Sequence, residues 1–313
     1  MLNRRHIRVK VMQSIYAMHQ HQSDSLEKEE KFLFQSIENM QDLYFLMLDA
    51  LVEIKNKEEE YIELSSKKYL ATKEERNPNK RFVENCVLAS LANSETLNAA
   101  LDERNINNWK KNDDIILCLI DAIKESNIYK KYLSKPSTTF EEDKYFIADI
   151  FSEVIAPNER LYDYLEEHKL TWLDDVPAVN TLILKQIKQL KSADDAFVLS
   201  KLYKDQDDKE FVKTLFRRTV LNESELSKEY IDKTPNWDAE RIAELDTIIL
   251  KMAICELLKF PSIPVKVTIN EYLEIAKEYS TPKSSIFING ILDNLVKDFQ
   301  KENKLQKAGR GLL

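Results

Sequence analysis

Few residues in this chain have the types and spacing that chemistry needs. Arg4, Arg5, Arg8 and Lys10 fall within the first ten residues, with no acid among them. At about 100° per residue on a helix, Arg5 and Tyr16 share an azimuth to within about 20°. Arg8 and Met12 lie beside them, while Ile7, Val11 and Ile15 turn toward a core. Guanidinium groups are planar donors to phosphate oxygens, and an exposed ring can stack on an unpaired base, so this strip suits single-stranded RNA. It also suits a solvated helix start with a half-buried tyrosine, and composition alone favours that blander reading. The remaining reactive groups form no site. Cys86, Cys118 and Cys255 are odd in number and far apart, which fits buried thiols in a reducing compartment. His6, His19, His21 and His168 are scattered, and His19 and His21 point to different helix faces. Asp174-Asp175 and Asp207-Asp208 are adjacent carboxylates whose side chains diverge on a helix. The expectation is no catalysis, no metal and no cofactor.

The elements that must carry these residues are helices. Among 313 residues there are three glycines, Gly290, Gly309 and Gly311, so 289 residues pass before the first. A phosphate-cradling loop needs glycines for close backbone approach, which excludes the common nucleotide-binding fingerprints. All-β folds need them in turns, so the composition predicts an all-α chain. The length predicts about two domains. No uninterrupted apolar run approaches a membrane span and no secretory cleavage site follows the N-terminus, so the chain reads as cytoplasmic, without membrane association. The formal net charge is −8, which makes the protein an acidic body with a basic N-terminal tip.

Helical periodicity runs through Ile7, Val11, Ile15 and Met18, resumes over roughly 26–70, and covers most of the circumference at 242–258, where Ile248, Ile249, Met252, Ala253 and Leu257 predict a buried central helix. A faint internal repeat lies between. Phe82, Phe146 and Phe211 each open an apolar pattern, 64 and then 65 residues apart. Each is followed by a polar Asn-containing run (93–97, 158–161, 222–226) and then a tryptophan, Trp109, Trp172 or Trp237, with an apolar helix after it. Matching offsets suggest a duplicated helical unit, each leaving an apolar face to bury on its neighbour. Asn289-Gly290 would usually mark a hairpin, but Phe287, Ile288, Ile291, Leu292, Leu295 and Phe299 keep helical spacing through it. Gly290 is then expected to permit close helix–helix approach.

The segment Ile263-Pro-Val-Lys-Val-Thr-Ile-Asn-Glu271, with Ala276-Lys277 and then Phe287-Ile-Asn-Gly-Ile-Leu-Asp293, resembles the signature of the NusB family of transcription antitermination factors. Ile249-Leu-Lys-Met-Ala-Ile-Cys-Glu-Leu257 resembles that family's central helix, and Arg4-Arg-His-Ile-Arg8 with Gln13 and Tyr16 its first helix. The C-terminal resemblance covers about residues 205–300 and the N-terminal one fades by about 70, so 71–205 reads as an insertion. The expected division is 1–70, a helical part with the basic first helix; 71–205, a helical insertion; 206–301, the C-terminal family part; and 302–313, a flexible tail.

The resemblance implies an all-helical bundle that binds boxA-type RNA of ribosomal-RNA leader transcripts jointly with NusE, a small-subunit ribosomal protein, within an RNA polymerase antitermination complex. Under it, Arg4, Arg5, Arg8, Tyr16, Lys283 and Phe287 are the candidate RNA contacts, and Met12, Asp246 and Lys251 the candidate partner contacts. Lys251 stands where many members carry Arg, and Lys283 where an acid is common. Phe287 equally suits a core position. Glu256, Asn289 and Gly290 are expected to be structural. Glu256 lies near the apolar stripe of its helix and must be paired, expectedly with backbone N–H groups opening the helix at 264–279. Two other functions compete. An RNA cytosine methyltransferase with a NusB-like domain would need a glycine-bearing cofactor domain after the helical part, for which the sequence leaves no room. A helical protein-interaction scaffold, working through 71–205, needs no RNA at all.

Overall fold

The computed structural model describes residues 1–193, 195, 197–231 and 243–312. Among them there is no strand, and the fold is all-α as the glycine-poor composition predicts. The chain forms two compact units, one of Met1 with Glu38–Leu202, the other of Leu2–Ile37 with Tyr203–Leu313. Trp237 and Ile242 lie outside the described residues, so the third repeat is seen only in part.

Helix α1 (Arg4–Gln20) is followed by α2 (Leu26–Ser66), a 41-residue helix whose residues up to Ile37 belong to the second unit and the rest to the first. The first unit continues with α3 (Lys73–Arg76), α4 (Cys86–Ala92), α5 (Glu95–Glu103), α6 (Asn108–Lys111), α7 (Asp113–Glu125), α8 (Asn127–Leu133), α9 (Phe140–Ile150), α10 (Glu159–His168) and α11 (Val176–Gln189). Short polar side chains start most of these helices. Asn85, Ser94, Ser126 and Asn158 accept backbone N–H groups at the first turns of α4, α5, α8 and α10, and Thr72 with Glu75 and Thr139 with Glu142 form capping boxes on α3 and α9.

Two of the three tryptophans that mark the suggested repeat lie among the described residues. Trp109 and Trp172 are both buried, and their indole N–H groups donate to α2 carbonyls, Trp109 to Leu46 (3.0 Å) and Trp172 to Asn39 (2.7 Å). Those carbonyls are seven residues apart, two turns of one helix. Each repeat also sends a cation to the same stretch: Arg104 bonds Glu38 and Asp42, and Lys169 bonds Asn39 and Asp42. Both tryptophan-bearing segments thus fasten to α2, two turns apart. That explains a correction. The boundary expected after residue 70 falls inside the first unit, because α2 from Glu38 onward is the element on which both repeats close.

The second unit adds α12 (Gln206–Leu221), α13 (Glu223–Ile231), α14 (Glu244–Lys259), α15 (Val265–Tyr279) and α16 (Ser284–Lys301). Helix α14 is buried on nearly every side, from Ile248 to Leu257, as its circumferential apolar pattern predicts. It packs on α1, α12, α13, α15 and α16. Pro264 is the N-cap of α15 rather than its first helical residue. The C-terminal stretch expected to be a flexible tail is tied down. Ala308 N–H donates to Pro261 O at 3.0 Å, Lys304 reaches Glu229 and Lys307 reaches the Phe260 carbonyl. A Cβ at Gly311 would stand 1.8 Å from the Pro261 oxygen, so only glycine fits this approach.

Candidate nucleic-acid interface

The basic opening of α1 conflicts with helix electrostatics. Its first turn has no acid, and cations at a helix N-terminus oppose the dipole. Carboxylates from distant sequence resolve the conflict within the same unit. Arg4 Nε donates to Asp208 Oδ1 at 2.7 Å, with its guanidinium over the Phe211 ring at 4.3 Å. Arg5 forks onto Glu271 with two 3.0 Å bonds. Arg8 forks onto Glu256 at 2.8 and 2.7 Å, with Glu271 3.7 Å away.

The Arg8–Glu256 pair is the centre of the unit. The side chains are 2% and 0% exposed. Glu256 also accepts the hydroxyls of Thr268 (2.8 Å) and Tyr272 (3.2 Å). Burial works against the Arg8 charge, yet the bonds and charge of Glu256 outweigh it and hold the guanidinium above its ordinary range. Burial, then the neighbouring carboxylate, pushes the Tyr272 hydroxyl well up. The structure therefore corrects two expectations. Arg8 is no surface cation. Glu256 receives a guanidinium and two hydroxyls rather than the backbone N–H groups of α15, whose start has no side-chain cap.

The other expected residues separate into open and closed. Arg4 and Arg5 keep about two-fifths of their side chains exposed (41% and 42%), Tyr16 is 40% exposed, Lys283 is exposed and Phe287 half-buried. Among the partner candidates, Met12 is 1% exposed and packs inside. Asp246 is buried and accepts the hydroxyls of Ser280 and Ser284, which ties α14 to the start of α16. Lys251 pairs with Glu223 at 3.3 Å. None of these three offers a free surface group in this arrangement. Asn289 lies on the surface of α16, with its amide 3.3 Å from Asp293. Gly290 is exposed, and a Cβ there would meet nothing within 4 Å, so the close approach expected of it is absent.

His19, a lone histidine by sequence, stands between two carboxylates, its ring nitrogens 2.8 Å from Glu223 and 3.2 Å from Glu244. The Glu223 hydrogen bond raises the imidazole above its ordinary pKa. Asp208 and Glu271 went unassigned by sequence. Glu271 closes the Ile-Asn-Glu run already quoted, and an acid ending so fixed a motif was the signal for it. Among the described residues no group of His, Cys, Asp and Glu could hold a metal, and no helix is long and apolar enough to cross a membrane. Burial pushes the Cys86 and Cys255 thiols up to about 11, which leaves them unreactive near neutral pH.

This geometry offers two part-exposed guanidinium groups and an exposed phenol on one helix, held by neighbours that also neutralise them. A phosphate arriving at Arg4 or Arg5 meets a pre-oriented planar donor and competes with one carboxylate for it.

The NusB family model matches residues 176–297. That match opens at α11, before the 205 expected, so the stretch without a family counterpart is shorter than 71–205 on its C-terminal side. Over 119 residues the chain is 44% identical to the transcription antitermination protein NusB of Salinibacter ruber, covering 38% of this chain and 74% of that protein. It is 40% identical to the protein of the same name from Natranaerobius thermophilus over 117 residues, covering 37% of this chain and 79% of that one. For the one from Chloroherpeton thalassium the identity is 38% over 105 residues, covering 34% of this chain and 50% of that protein. No solved structure matches. With identity at this level across about three-quarters of two relatives, the chain belongs to the NusB family.

Proposed function

We propose that this protein is a transcription antitermination factor that binds boxA-type RNA of ribosomal-RNA leaders jointly with NusE, within an RNA polymerase antitermination complex. Its relatives carry the antitermination name. The observation that supports RNA contact most directly is the outward side of α1, where Arg4, Arg5 and Tyr16 are all part-exposed. Lys283 and Phe287, at and near the start of α16, are the further candidate contacts. The work is binding, and it requires neither a nucleophile nor a cofactor. The residues before Val176 that carry the two Trp repeats are an addition to the family fold, inserted after the N-terminal helices.

Titrating boxA-type RNA into the protein, with and without NusE, tests this. Arg4→Gln with Arg5→Gln should weaken binding and flatten the log–log salt slope by about one unit, at roughly −0.7 per single-strand phosphate contact. Tyr16→Ala should cost about 1–3 kcal/mol with little change in slope. Undiminished affinity in folded variants would favour the protein-scaffold reading, in which the repeats carry the contacts.

A further inference from the structure

The strongest unassigned surface lies in the first unit, away from the family motifs. Residues 67–81 and 124–136 hold ten lysines and arginines against three carboxylates, in a chain of formal net charge −8. The two segments are fastened together. The Arg81 guanidinium donates to the carbonyls of Leu133 (2.7 Å), Pro136 (3.1 Å) and Tyr132 (3.3 Å), and the Asn79 amide also donates to Leu133 O (3.1 Å). Lys68 and Lys124 both lie over the Tyr61 ring, at 5.9 and 4.6 Å.

Four of the ten are paired, Lys67 with Glu63, Lys68 with Glu75, Lys124 with Glu58 and Lys135 with Glu142, but five others differ in kind from the arginines of α1, each of which has a carboxylate. Lys73, Arg76, Lys80, Lys130 and Lys131 are exposed and pair with no carboxylate among the described residues. One of the three acids, Glu75, is taken up by the Thr72 capping box and Lys68. At the edge of this field the turn after α2 presents Tyr69, 94% exposed, and Leu70, 85% exposed. A tyrosine held this far into solvent has no packing role. Cations without carboxylates (Lys130 bonds the Glu125 carbonyl, at 2.8 Å) beside a naked ring are what an unstacked, anionic strand requires: phosphate neutralisation from the basic side chains and a stacking face from the phenol. A duplex would leave the ring without an open base, and lysines, as point charges, place a backbone without reading sequence.

We propose that residues 67–81 and 124–136 form a second RNA site, which binds single-stranded RNA through its backbone with little sequence preference and stacks a base on Tyr69. This site stands independently of the α1 reading. The test uses the full chain and a 20-nucleotide oligouridine, which lacks any boxA sequence, with binding followed by fluorescence anisotropy across a salt series. Replacing Lys73, Arg76, Lys80, Lys130 and Lys131 together with Gln should lower affinity at least about tenfold and flatten the log–log slope by about three units, from roughly −0.7 per contact. Tyr69→Ala should lower affinity by about tenfold at unchanged slope. Arg4→Gln with Arg5→Gln should leave both shifts in place, which separates failure of this site from failure of the α1 reading. Ultraviolet crosslinking of the unmutated protein should recover the Tyr69 peptide, a readout that does not depend on any variant folding. The proposal is overturned if the chain does not bind oligouridine, if crosslinks are confined to α1, or if the five-Gln variant keeps its RNA affinity. It is equally overturned if that variant loses binding only to phosphatidylserine vesicles, since the surface would then be a membrane contact.

Discussion

Arg8 and Glu256 neutralise each other, with Glu271 3.7 Å from Arg8 and two hydroxyls bonded to Glu256, so breaking either half strands a charge inside the protein. Arg8→Met or Glu256→Gln alone should destabilise the second unit by about 3–5 kcal/mol, measured by denaturant unfolding. The double change Arg8→Met with Glu256→Leu should cost clearly less than the two single changes together, since it removes both charges at once. Additive losses would mean that solvent reaches the pair. His19 gives a prediction in pH. Its pKa is raised by Glu223, so its stabilisation is complete below the ordinary value of about 6.5 and is lost as pH rises through the folded value. Burial opposes the charge of Glu223, but the His19 bond lowers its pKa overall, so its share is present above about 4.5 and is lost as pH falls through its folded value. The pair therefore contributes most between about 4.5 and 6.5. His6 runs oppositely, because burial and then Lys10 lower its pKa. The melting midpoint of His19→Gln against the parent should diverge most in that window and converge above it, and a constant difference would contradict the assignment.

Helix by helix, what could be read from sequence depended on whether one helix was enough. Arg5 and Tyr16 share an azimuth, and both are indeed part-exposed. Arg8 and Met12 lie beside that azimuth yet are buried, because α12, α14 and α15 cover that side. A helical wheel reports direction but not what arrives from residues two hundred positions away. The same limit explains Asp246 and Glu256, whose partners Ser284, Thr268 and Tyr272 sit on other helices. The Trp109 and Trp172 landmarks were legible and have a shared counterpart, since both indoles bond carbonyls of α2 seven residues apart. Gly290 shows the converse. A lone glycine within a helix suggested close packing, whereas its surroundings are open. Gly290→Ala should then stabilise the fold by about 0.5–1 kcal/mol, since it restores helix propensity and creates no clash. A loss of stability in thermal unfolding would show that something does approach it.

For the molecule as a whole, composition was the most informative reading, since three glycines in 313 residues left little besides helices. The division into units was less legible, because α2 gives no break in periodicity where its packing partners change. The two Trp contacts on α2 have a further, optical consequence. Both described indoles are buried and hydrogen-bonded in the unit of Glu38–Leu202. Trp237 falls by sequence within the span of the other unit. A Trp237→Phe chain would thus carry a built-in dye for one unit alone, while far-ultraviolet ellipticity registers the helices of both. Recorded together during a denaturant titration, the two signals would tell whether the unit of Glu38–Leu202 melts on its own schedule or in step with the other unit.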